Sequence, residues 1–268
     1  MSNSELDSFL TDIARVSLAA NKGSSLALAG AGALRAHFLT ARPTEDVDLF
    51  FVQADASRAQ TIFHNVETAL QEHGFTVETL RSFSAYALLM VSKDGMSASV
   101  DIGSDYRAHP PVVLSIGPVL HKEDAVGNKV AAVFSRGKLR DCLDLQSLRD
   151  TGLFSDEKLL TLAQDRDGGF DRKLFANVIL RLPDFSQIHK AALPQAYELS
   201  QGEYERVRHE LKEFAERILQ QDEFEAGKSL TRLLGSTDME ENPSLKTNRT
   251  EYPSSPSPTL PHRRGRSL

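Results

Sequence analysis

Cysteine is all but missing from this 268-residue chain, which has one, Cys142. A single thiol excludes an intrachain disulfide framework and a cysteine-rich zinc site. Its setting, Arg140-Asp141-Cys142-Leu143-Asp144-Leu145, reads as an apolar helix position, so the expected role is inert packing. Long apolar runs are absent too. Nothing approaches the roughly 18 or more consecutive apolar residues of a membrane span, and Met1-Ser2-Asn3-Ser4-Glu5-Leu6-Asp7 lacks the basic flank and apolar core of a secretory signal. Cytoplasmic residence without a membrane partner is the expectation. Positive charge is not in excess either: a net charge of -6 argues against bulk attraction to nucleic acid, although a local basic patch would still bind RNA. Histidines 37, 64, 73, 109, 121, 189, 209 and 262 show no ligand spacing, and none is read as a metal ligand. What remains is an ordinary globular composition, 40% hydrophobic, enough for one large core or two modest ones.

Leu6, Phe9, Leu10, Ile13 and Val16 recur at helical spacing, so residues 5–20 read as an amphipathic helix closed by Asn21-Lys22-Gly23. Leu26-Ala27-Leu28-Ala29 is a short apolar run before a glycine-containing turn, Gly30-Ala31-Gly32, and a helix over 33–39 follows. A strand is expected over 47–52, a helix over 55–73 ended by Gly74, and apolar runs at 75–80 and 86–92. Asp94-Gly95 is a hairpin signal that pairs 86–92 with 97–103 antiparallel. An apolar segment at 112–116 comes next. Helical patterns then dominate, at 123–135, 139–150, 156–165, 171–181 and 203–221. The expected class is α/β (α+β): a mixed-sheet core over 1–120, a helical lobe over 121–235 and a disordered tail over 236–268. In that tail Pro, Ser, Thr and Asn displace large apolar residues, and its closing Arg263-Arg264-Gly265-Arg266 reads as a solvated end or an RNA contact.

Within Asp46-Val47-Asp48-Leu49-Phe50-Phe51, residues two apart in a strand share a face, so Asp46 and Asp48 point together while Val47 and Leu49 turn to a core. Two carboxylates at alternate positions can hold one hard cation, and magnesium prefers a few carboxylates plus substrate phosphates to an all-protein cage. Gly30 and Gly32 would let backbone N–H groups approach phosphate oxygens at a helix start. Strand, tight turn, helix and then Asp-x-Asp is the order used to cradle a triphosphate with its magnesium, which points to nucleotidyl transfer. A two-metal version needs a third carboxylate from a neighbouring strand, and Ser97-Ala98-Ser99-Val100-Asp101-Ile102 supplies Asp101 on the face opposite Ala98, Val100 and Ile102. Each signal alone has a plainer reading: an Asp-x-Asp that ends a strand as a turn, or a strand-to-helix turn without a ligand. Arg42 and Thr44 would reach a phosphate, brace the loop, or simply lie at the surface.

A second dense cluster runs from Lys129 to Leu145. Lys129 and Arg136 are seven apart on one expected helix, and Asp141 and Asp144 share a face of the next. Lys129 could neutralise a triphosphate, Arg140 could pair with a phosphate or carboxylate, and Asp141 and Asp144 could orient those cations or an incoming hydroxyl. An ordinary salt-bridged helix pair is the alternative.

Arg42-Pro43-Thr44-Glu45-Asp46-Val47-Asp48-Leu49-Phe50, preceded by Leu28-Ala29-Gly30-Ala31-Gly32 and followed by Lys129 and Arg136-Gly137-Lys138-Leu139-Arg140-Asp141-Cys142-Leu143-Asp144-Leu145, resembles the AbiEii/AbiGii nucleotidyltransferase-like toxins of type IV toxin–antitoxin pairs over about residues 5–235. The resemblance implies a polymerase-beta-like nucleotidyltransferase core, a helical C-terminal lobe, magnesium (Mg2+), a nucleoside triphosphate donor, an RNA acceptor such as tRNA, and a cognate antitoxin. Carried onto this chain, it gives Asp46 and Asp48 as metal positions and matches Lys129, Asp141 and Asp144 to the later motif. With Asp101 as third ligand, either Asp101 or Asp144 would serve as base. In one respect the chain departs from the family: the turn usually carries a hydroxyl residue where Ala31 and Gly32 stand. Loss of one phosphate contact would weaken donor binding by about 1–3 kcal/mol, with Thr44 or Ser25 as substitutes. Transfer to a protein or small molecule, or a catalytically weakened binding module, are the competing expectations.

Overall fold

The computed structural model describes residues 3–188 and 199–235. Its elements are helix α1 (Asn3–Ala20), strand β1 (Ala27–Leu28), α2 (Gly30–Ala36), β2 (Asp46–Val52), α3 (Ala59–Glu72), β3 (Thr76–Ser82), β4 (Tyr86–Lys93), β5 (Met96–Asp105), β6 (Val112–Leu114), β7 (Gly117–Val119), and helices α4 (Lys122–Arg136), α5 (Leu139–Asp150), α6 (Asp156–Arg166), α7 (Arg172–Leu180) and α8 (Gln201–Gly235). The strands form one seven-stranded mixed sheet in the order β3-β4-β5-β2-β1-β7-β6. Only β2 with β5 and β1 with β7 run parallel.

Local sequence explains most of these elements. Leu6, Phe9, Leu10, Ile13 and Leu18 form the buried stripe of α1, which packs against α3 and the sheet. Alternation puts Val47, Leu49 and Phe51 in the core. The β4–β5 hairpin closes on Asp94 and Gly95, both with left-handed backbone (φ 53° and 77°), the geometry that matches strand twist. Gly137 ends α4 in the same left-handed region, its N–H donating to the Val133 carbonyl.

Two local expectations shift. The helix expected from Asp55 begins at Ala59, after a 3-10 stretch over Gln53–Arg58. Asp55 is drawn away instead, accepting from the Ser25 backbone N–H and hydroxyl. The helix expected over 33–39 lies at Gly30–Ala36, and a further strand, β7, pairs with β1.

Strands stop at Val119 and helices take over at Lys122, and the described residues up to Phe224 form one compact unit. The expected tail over 236–268, with its arginines, lies outside the described residues. Among the described residues, no helix is long and apolar enough to cross a membrane.

Candidate active site

Parallel pairing of β2 with β5 sets Asp48 directly opposite Asp101, and Asp46 opposite Ser99. Paired residues share a face, so all three carboxylates leave the core on the same side of the sheet. They line one cavity of about 580 Å³, a volume suited to a nucleotide-sized ligand. Gly30, Ala31 and Arg42 border the same space. The cavity also has a basic wall: Lys129 and Arg136 from α4, and Arg140 from α5, which reaches Asp46 at 3.4 Å. Carboxylates and cations lining one cavity can hold a divalent cation together with phosphates.

Gly30 and Asp48 are in direct contact. A side-chain carbon added at Gly30 would lie 1.7 Å from Asp48 Oδ2, and the backbone there is left-handed (φ 53°). Only glycine leaves room for the carboxylate. Gly32 packs on Leu28 and does not border the cavity.

The Asp48 carboxyl is pushed up to about 7, first by burial and then by the negative charges of Asp46 and Asp101, against which Lys129 and Arg140 act. Asp46 accepts hydrogen bonds from the Thr44 hydroxyl and, at 3.4 Å, from Arg140. Asp101 accepts one from the Tyr86 hydroxyl at 2.6 Å, which raises the phenol to about 12.

Behind the basic wall lies a buried ion cluster. Lys129 Nζ is 2.9 Å from Asp141 Oδ1 and 3.0 Å from Asp144 Oδ2, and both carboxylates are fully buried. Arg42 grips Asp144 with Nε and Nη2, each at 2.8 Å. Arg136 grips Asp141 in the same two-pronged way, at 2.7 and 2.9 Å. Burial alone would raise both carboxyls, but the bound cations outweigh it and hold each below the usual range. These aspartates therefore fix Lys129, Arg42 and Arg136 at the cavity edge, and neither borders the cavity itself. Cys142, between them, is buried and its thiol is pushed up to about 12, chiefly by burial.

Not every residue singled out in the sequence reaches the cavity. Thr44 borders a neighbouring groove, with its hydroxyl committed to Asp46. The Ser25 hydroxyl donates to Asp55 and accepts from the Val52 N–H. Neither is free to replace the missing turn hydroxyl. Ser104 and Ser135 do border the cavity, with Asp105, Asn128 and Arg166, and no short motif marks them. Tyr86 was likewise invisible, since its partner Asp101 lies 15 residues on across a hairpin.

Among the described residues, no group of three or more His, Cys, Asp or Glu side chains is arranged to hold a metal ion. The chemistry of the cavity's carboxylates would nevertheless suit a hard cation completed by substrate phosphates: Asp46, Asp48 and Asp101 offer only carboxylate oxygens, and the repulsion of Asp48 by Asp46 and Asp101 is what a cation would relieve.

The family model described as the nucleotidyl transferase AbiEii toxin of type IV toxin–antitoxin systems matches residues 13–228. The chain belongs to this family. As an AbiEii-family member it is a nucleotidyltransferase, and its architecture agrees. A candidate nucleotidyltransferase from Helicobacter pylori superposes with a TM-score of 0.51 at 19% identity, over 82% of this chain and 97% of its own. MenT4, a nucleotidyltransferase toxin from Mycobacterium tuberculosis H37Rv, superposes with a TM-score of 0.55 at 16% identity, over 80% and 85% respectively. At such identities the two structures establish the shared fold of this AbiEii-family protein. No curated protein matches it by sequence.

Proposed function

We propose that this AbiEii-family protein transfers a nucleotide from a nucleoside triphosphate to a hydroxyl of RNA, with tRNA as the favoured acceptor, and releases pyrophosphate. The supporting observation is a single cavity lined by Asp46, Asp48 and Asp101 together with Lys129, Arg136 and Arg140. The donor phosphates lie against the basic wall, whose cations are pre-oriented by Asp141 and Asp144, so little ordering is required on binding. Magnesium, held by Asp46, Asp48 and Asp101, would supply neutralisation of charge on the reacting phosphate and the departing pyrophosphate. The acceptor oxygen attacks the α-phosphorus as the bond to the pyrophosphate oxygen breaks, and the hydroxyl proton passes to Asp101. Asp144, sealed behind Arg42 and Lys129, orients and does not act as base. The cytoplasm, which holds both substrates, is the expected compartment, and a cognate antitoxin the expected partner.

Incubation with each of the four radiolabelled triphosphates, magnesium and total tRNA tests the reading. Label entering RNA supports it; label only in protein or small products assigns a different acceptor; no transfer by folded protein overturns it. A second reading, a weakened binding module, is favoured by one feature: Ala31 and Gly32 stand where the family turn carries a hydroxyl residue, and the Ser25 and Thr44 hydroxyls are engaged elsewhere. Asp48→Asn separates the two. It abolishes any cellular phenotype if transfer is the function and leaves it intact for a binding module.

A further inference from the structure

The triphosphate cavity accounts for the donor, but the second substrate must also reach Asp101, and the sheet register shows a path. Four strands carry one row of side chains on the catalytic face: Asp48 opposite Asp101, Asp101 opposite Leu88, and Leu88 opposite Arg81. In the neighbouring row Tyr86 lies opposite Gly103, against which its ring packs, and Gly103 lies opposite Phe50. Phe83, 63% exposed, stacks on Tyr86 with ring centroids 6.4 Å apart and planes at 23°. Tyr86 and Leu88 are only partly covered, whereas their neighbours Ala87 and Leu89 face the core. Arg81 is exposed, with no hydrogen-bond or ion-pair partner among the described residues, and its charge acts on the Tyr86 phenol. Glu78, opposite Met90, lies in the row on the other side of Arg81 and Leu88.

We propose that the face formed by Arg81, Phe83, Tyr86 and Leu88 seats the terminal nucleotide of a single-stranded RNA acceptor and delivers its hydroxyl to Asp101. The inference rests on the RNA-transfer reading above. Single strands are bound by stacking bases on aromatic rings and tracking the backbone with cations, and this face offers a stacked ring pair with one uncommitted arginine beside it. It is continuous with the catalytic centre, because the Tyr86 hydroxyl holds the carboxylate that takes the proton. The negative charge of Glu78 disfavours phosphate on its side, so the acceptor backbone runs past Arg81.

Phe83→Ala and Arg81→Ala in the full chain test this, since both side chains are exposed and their loss leaves the core intact. Phe83→Ala raises the KM for total tRNA about 5- to 150-fold, the range of one lost base-stacking contact, and Arg81→Ala raises it in the same direction, with kcat and the KM for triphosphate unchanged in both. Binding of a short single-stranded RNA carrying a terminal fluorophore weakens by a similar factor. If wild-type protein labels RNA and neither variant changes the acceptor KM, this inference is overturned and the transfer reading stands. If wild-type protein labels no RNA, both fall. An altered oligomeric state with an unchanged acceptor KM assigns the face to a second copy and also overturns the inference.

Discussion

Replacing Asp144 by Asn asks whether this carboxylate is part of the chemistry or part of the frame. In the structure Asp144 accepts from Arg42 Nε and Nη2 at 2.8 Å, from Lys129 at 3.0 Å and from the Thr40 hydroxyl at 3.4 Å, with its side chain fully buried. Asparagine keeps the shape but presents one acceptor and one amide donor to this crowd of donors. Two buried cations then lose their shared counter-charge. Breaking a buried ion pair from one side destabilises by about 3–5 kcal/mol, against a total stability of about 5–15 kcal/mol for a domain. In a unit of this size each kcal/mol moves the melting temperature by roughly 2–4 °C, so a fall of about 6–20 °C is expected. Thermal unfolding followed by circular dichroism measures it, and triphosphate binding at low temperature reports whether Lys129 has moved. A variant that melts within about 2 °C of wild type yet has lost all transfer activity would refute the framing role and return Asp144 to the chemistry.

Acid should erase the same difference. The Asp144 carboxyl lies below its ordinary 3.8 when folded, so its stabilising effect is complete above that value and disappears as pH falls through the lower folded value. The stability gap between wild type and Asp144→Asn, measured by urea titration, is therefore constant near neutrality and shrinks below about pH 4. Gly30→Ala should abolish transfer, because the added carbon and the Asp48 carboxylate claim the same space; Gly32→Ala, which meets only Leu28 at 3.1 Å, should retain most of it. Equal loss in both would show that the turn acts as a whole. Tyr86→Phe removes one hydrogen bond to a charged carboxylate, an effect of about 1.5–3 kcal/mol at most, so kcat falls by roughly 10- to 100-fold with the KM for triphosphate unchanged. An unaltered kcat would remove Tyr86 from the site.

Features legible in the sequence and features that were not differ in their physical origin. The Asp46 and Asp48 pair, the α1 stripe, the Asp94-Gly95 hairpin and the Gly137 helix end were legible because each follows from backbone geometry over a few residues: a period of two in strands, 3.6 in helices, and left-handed φ at turns. Which of the readings open for Asp141 and Asp144 the burial favours was not. Helix α5 is buried at Asp141, Cys142, Leu143, Asp144, Leu145 and Gln146 alike, so periodicity could not say which carboxylates meet a substrate and which are enclosed.

By itself, then, the sequence determined which side chains share a strand face or a helix face, and through its motifs the family. Tertiary structure alone decided that β5 lies beside β2 in the register that opposes Asp101 to Asp48, and that Arg42 crosses 102 positions of chain to close over Asp144. Side-chain direction is set locally by the backbone, whereas burial and charge pairing depend on which distant segment the fold brings alongside.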